Sequence, residues 1–83
     1  MSLKLRHIGN MKSFGELDGM PFTAELRDDG WRALVGHEDD PTWQLDASPD
    51  LPARNIVGRS PMMNFVYASV ARYREWQRGI LPA

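Results

Sequence analysis

The longest periodic run of apolar positions in the chain lies near its end. From Ser60 to Arg78 the residues Met62, Phe65, Val66, Val70, Tyr73 and Trp76 recur at helical spacing, while Asn64, Arg74, Glu75 and Arg78 fall on the opposite side. The spacing predicts an amphipathic helix over 61–78. Its start is marked by Ser60, whose hydroxyl can accept from an unpaired first-turn amide, and by Pro61, which gives up no needed donor. Its stop is marked by Arg78, which complements the negative end of the helix dipole, and by Gly79, which can take the left-handed closing conformation.

Ahead of this helix the period changes from 3.6 to 2. Phe22, Ala24 and Leu26 alternate with Thr23, Glu25 and Arg27, and after Asp28-Asp29-Gly30 the residues Trp31, Ala33 and Val35 alternate with Arg32 and Leu34. This reads as an antiparallel hairpin of strands 21–27 and 31–36, its turn taking positive backbone dihedrals at Asp28-Asp29-Gly30. Leu3 to Ile8 and Met11 to Leu17, the latter ended by Asp18-Gly19, are candidate earlier strands. Gly36 to Pro41 reads as an exposed charged loop, and Thr42 to Ala47 resumes alternation with Trp43, Leu45 and Ala47 on one face. A short extended piece is expected around Asn55 to Val57. The fold class is therefore α+β: one domain over residues 1–83, an antiparallel sheet of three to five strands covered on its apolar face by the C-terminal helix. That face carries Phe22, Ala24, Leu26, Trp31, Val35, Trp43 and Leu45, and its aromatics supply much of the buried area available to so small a core.

Charge adds what periodicity cannot. The net charge is only −1, but the charges are segregated: Lys4, Arg6 and Lys12 make residues 1–13 basic, and residues 14–50 hold ten carboxylates against Arg27 and Arg32. Residues 51–83 are basic again, with five arginines against Glu75. The chain is dipolar in sequence, and the fold decides whether it is dipolar in space.

The strand pair around Asp28-Asp29-Gly30, the segment Pro49-Asp50-Leu51-Pro52, and Gly58-Arg59-Ser60 leading into a helix together resemble the HicB-type antitoxin domain over about residues 20–78. Ser60 stands where that family usually has threonine, an acidic segment is added between Val35 and Pro49, and no DNA-binding segment follows. The resemblance implies a strand hairpin followed by an amphipathic helix, and an inhibitory partner-binding role.

Candidate chemistry is sparse. There is no cysteine, which removes disulfides, thiolate metal sites and cysteine nucleophiles together. His7 and His37 stand 30 positions apart without a patterned serine or carboxylate partner, and the cluster His37-Glu38-Asp39-Asp40 matches no calcium-loop spacing. No phosphate loop or dinucleotide fingerprint occurs, so the sequence reads as non-enzymatic, with no metal and no cofactor. No run approaches the ~18 apolar residues of a membrane span, and the N-terminus lacks a leader, so a cytoplasmic protein without membrane contact is expected.

Two binding readings remain. In one, Glu25, Asp28, Asp29, Glu38, Asp39, Asp40 and Asp46 form an acidic surface for a basic, nucleic-acid-handling protein, as antitoxins and phage anti-CRISPR proteins do. In the other, Tyr67, Arg74 and Arg78 on the outward helix face, with Arg72, Arg54 and Arg59 nearby, hold RNA or phosphate. Homodimerisation, through Tyr67, Ala68 and Ala71 or through an exposed sheet edge, is a third use of the surface.

Overall fold

The computed structural model describes residues 2–48 and 60–79. Among these the chain forms β1 (Leu3–Ile8), β2 (Lys12–Leu17), β3 (Met20–Arg27), β4 (Gly30–His37), β5 (Asp40–Ala47) and α1 (Pro61–Gln77). The strands make one antiparallel sheet in the order β1-β2-β3-β4-β5, so each strand lies beside its neighbour in sequence. Pro49-Asp50-Leu51-Pro52, the piece at Asn55 to Val57, Arg54, Gly58 and Arg59 lie outside the described residues.

Turn chemistry sets the registers. Asp18 and Gly19 have φ of 53° and 83° and close β2 onto β3 in a two-residue turn that pairs Leu17 with Met20. At the next hairpin only Gly30, at φ 137°, has a positive φ; Asp28 and Asp29 do not, so the expectation of positive dihedrals through all three is corrected. Gly30 is required for a second reason. A Cβ there would run into the Ala47 carbonyl of β5, which passes close against the start of β4.

The charged loop expected over Gly36 to Pro41 is not one. β4 continues to His37 and β5 begins at Asp40, leaving Glu38-Asp39 as a two-residue turn. Gly36, at φ 105°, absorbs a register shift after Val35, and Pro41 pairs with it near the turn of an edge strand, where a missing amide is tolerated.

The face toward the helix holds Leu17, Phe22, Ala24, Trp31, Ala33, Val35 and Trp43, closed by Met62, Phe65, Val66 and Tyr73. Phe65 packs on Trp31 with ring centroids 4.9 Å apart, and Tyr73 meets Trp43 edge-on at 5.6 Å. These two pairs lay the helix along the sheet with its first turns toward the Asp28-Asp29 end and its last toward the Asp18-Gly19 end. Ser60 accepts from the Met63 amide at 3.2 Å, as an N-cap should, and Arg78 is the C-cap, with Gly79 at φ 78°.

Asn64, expected on the wet face, is buried at 6% exposure. The first turn is enclosed on more than one side, and beyond it the exposed helical positions are Tyr67, Ala68, Ala71, Arg72 and Gln77. Asn64 Oδ1, Ser69 Oγ and Trp31 Nε1 are buried without a hydrogen-bond partner among the described residues. Leu34, which alternation places with the polar residues, is also buried, set in register between Thr23 and Gln44 on the face away from the helix.

Candidate protein-binding surface

In an antiparallel meander, successive turns lie at alternate ends of the sheet. The turn at Asp28-Asp29 therefore sits at one end, and the turn at Glu38-Asp39 at the other, together with Asp18-Gly19. β4 separates them by eight residues, about 24 Å at ~3.4 Å per residue. The seven carboxylates expected to share one surface are thus divided between two poles and the sheet face between.

On that face, away from the helix, charges alternate across four strands. Lys12 pairs with Glu25, Glu25 with Arg32, and Arg32 with Asp46. Arg32 Nε donates to Asp46 Oδ1 at 2.9 Å and Gln44 Nε2 to Asp46 Oδ2 at 2.7 Å, while Arg27 lies 3.6 Å from Glu25. The hydrogen bond from Arg32 is the main reason the Asp46 carboxyl is held below the usual carboxylate range. Opposite charges placed directly across a ladder stabilise it, so Glu25 and Asp46 act here as sheet-pairing residues.

Glu38, Asp39 and Asp40 are exposed, as are Asp28 and Asp29, and none of these five forms an ion pair with another described residue. Glu38-Asp39-Asp40 puts three successive carboxylates on one hairpin tip. No three His, Asp or Glu side chains among the described residues converge on a metal-binding arrangement. No helix is long and apolar enough to cross a membrane.

Across the sheet the charge separation of the sequence survives. Because strand order follows chain order, the basic β1–β2 hairpin forms one side of the sheet and the acidic β4–β5 hairpin the other. No family model, curated protein or solved structure matches the chain.

The basic helix face is altered by a contact that sequence spacing did not reveal. Arg74 Nη1 donates to Asp18 Oδ2 at 3.0 Å, and both side chains are only about a quarter exposed, 26% and 22%. Asp18 Oδ1 also accepts from the Ser2 amide at 2.9 Å. One carboxylate thus joins the start of β1, the β2–β3 turn and the last turns of the helix. Tyr67 remains 47% exposed and Arg78 exposed, but Arg74 is turned toward the sheet.

The hydrogen bond from Arg74 is the chief cause that holds the Asp18 carboxyl below its ordinary value. A depressed folded-state value means the contribution to stability is present above the unfolded value, about 3.9, and is lost as pH falls through the lower folded one. Asp18→Asn keeps a side chain that tolerates the left-handed turn but removes the charge. Its acid-unfolding curve should be flatter than wild type below about pH 4, measured by circular dichroism at fixed ionic strength. Parallel curves would show that the pair adds nothing.

Proposed function

We propose that this protein is a non-enzymatic binding module, an inhibitor or regulator that engages a basic, nucleic-acid-handling protein through the acidic tip of its β4–β5 hairpin. The observation that carries the reading is the contrast between two sets of carboxylates. Glu16, Glu25, Asp46 and Asp18 each face an arginine of the same chain, whereas Glu38, Asp39 and Asp40 stand together on an exposed turn with no such partner among the described residues. A hairpin tip of one sign steers a partner of the opposite sign and competes with phosphate for its lysines and arginines. Antitoxins and phage anti-CRISPR or other anti-defence proteins act by this kind of occlusion. The resemblance to the HicB-type domain supports the same class of role in a reducing, cytoplasmic setting. The RNA-binding alternative is weakened by the Arg74–Asp18 contact, which takes one of its two central arginines.

The test compares wild type, the triple variant Glu38→Lys, Asp39→Lys, Asp40→Lys, and the variant Arg78→Glu in capture from the source cell. Binding kinetics of the recovered protein follow, at low and moderate salt. The triple variant should lose the basic partner, its association rate falling ~10–1,000-fold, while Arg78→Glu binds as wild type. Retention of binding by the triple variant, or binding to a mixed RNA pool that only Arg78→Glu abolishes, would overturn the reading.

A further inference from the structure

Among the described residues the sheet is open, and its two edges differ in sign. β1 and β2 carry Lys4, Arg6 and Lys12 against Glu16, whereas β4, β5 and their turn carry Glu38, Asp39, Asp40 and Asp46 against Arg32. β1 and β5 each pair on one side only among the described strands. The Asp18 amide donates to the Ser2 carbonyl, so in the antiparallel alternation Ser2 and Lys4 bond to β2 while the backbone groups of Leu3 and Leu5 point outward. On β5 every second residue likewise points away from β4. Among the described residues, three of the four large exposed apolar side chains, Ile8, Met11 and Phe14, also belong to the β1–β2 hairpin.

Edge strands that must stay single are usually blunted by charge, and like-edge pairing is blunted here. Two β1 edges would bring Lys4 of each copy together, with Arg6 already held by Glu16 at 2.7 Å, and two β5 edges would bring Asp40 of each copy together, with Asp46 held by Arg32 at 2.9 Å. Pairing of unlike edges meets no such repulsion. We propose that the β1 edge of one copy receives the β5 edge of a second copy, continuing the sheet from molecule to molecule in head-to-tail order. The register shift between Leu5 and His7 and the proline at position 41 confine the shared ladder to a few residues. Association is therefore weak and strongly dependent on charge. A heterologous contact of this kind builds a ring or a filament, not a two-fold dimer.

The proposal needs no other protein, so its failure is separate from that of the acidic-tip reading. Sedimentation velocity at low salt, where the screening length is about 30 Å at 0.01 M, reads the mass of wild type from micromolar to millimolar concentration. Two variants are compared, Lys4→Glu with Arg6→Glu, and Asp40→Lys with Asp46→Lys. Each has both edges of one sign and should stay monomeric alone, while their equimolar mixture should associate as wild type does. Because Asp46 is bonded to Arg32, the pair Asp40→Lys with Thr42→Lys replaces the second variant if circular dichroism shows it unfolded. Wild type that stays monomeric throughout, wild type that stops at a dimer, or a mixture no heavier than its parts would each overturn the proposal.

Discussion

Val66→Asp is expected to leave the protein unfolded at 37 °C, while Val70→Asp, one helical turn on, leaves it folded. Val66 is wholly buried at 0% exposure within the core cluster, so an aspartate there is cut off from water. An uncompensated buried charge costs about 3–5 kcal/mol. A domain of this length holds about 4–12 kcal/mol in total, and each kcal/mol lost lowers Tm by about 4–8 °C. Val70 packs at the margin of the core and is part-exposed, so its carboxylate can turn toward solvent, and the loss is nearer 1–2 kcal/mol of apolar burial. Thermal melts of both variants by circular dichroism check the ranking, and equal melting temperatures would mean that the helix is seated differently.

Gly15→Ala is the second large effect. A Cβ at this position would occupy the space of the Lys4 carbonyl oxygen and come within 2.7 Å of the Leu5 Cα. Both are backbone atoms of β1 and neither can swing aside, so even one methyl group forces β1 from the edge of the sheet. With it go the half-buried contacts of Leu3 and Leu5 and the ladder to β2, together about 2–4 kcal/mol. Amide hydrogen exchange should show protection lost across 3–8 and kept across β3 and β4. Uniform loss of protection would mean that β1 is integral to the cooperative unit.

What the sequence made legible was what local chemistry determines. The alternation of Phe22, Ala24 and Leu26, the Asp18-Gly19 turn and the Ser60-Pro61 start each act within a few residues, and the strands and helix stand where those signals put them. Gly36 to Pro41 misled for the same reason: glycine, three acids and proline together resemble a loop. Here, however, the glycine serves a bulge and the proline an edge, so the strands run nearly to the turn. The candidate site was less legible. Asp28 and Asp40 lie close in sequence, yet the meander puts their turns at opposite poles. Arg74 is in phase with the wet face, yet Asp18, 56 residues earlier, draws it back toward the sheet. No periodicity encodes a contact at that separation.

The order of the strands also bears on time. Every hairpin joins sequence neighbours, so the sheet can form as soon as Ala47 has been made. The helix that covers Phe22, Val35 and Trp43 ends only at Gln77, 30 residues later. At ~5–20 residues per second that interval is about 2–6 s, far longer than the microseconds a hairpin needs. During those seconds the apolar face of the sheet lacks the helix that packs on it, and the nascent chain is at its most adhesive before Gln77 has been added.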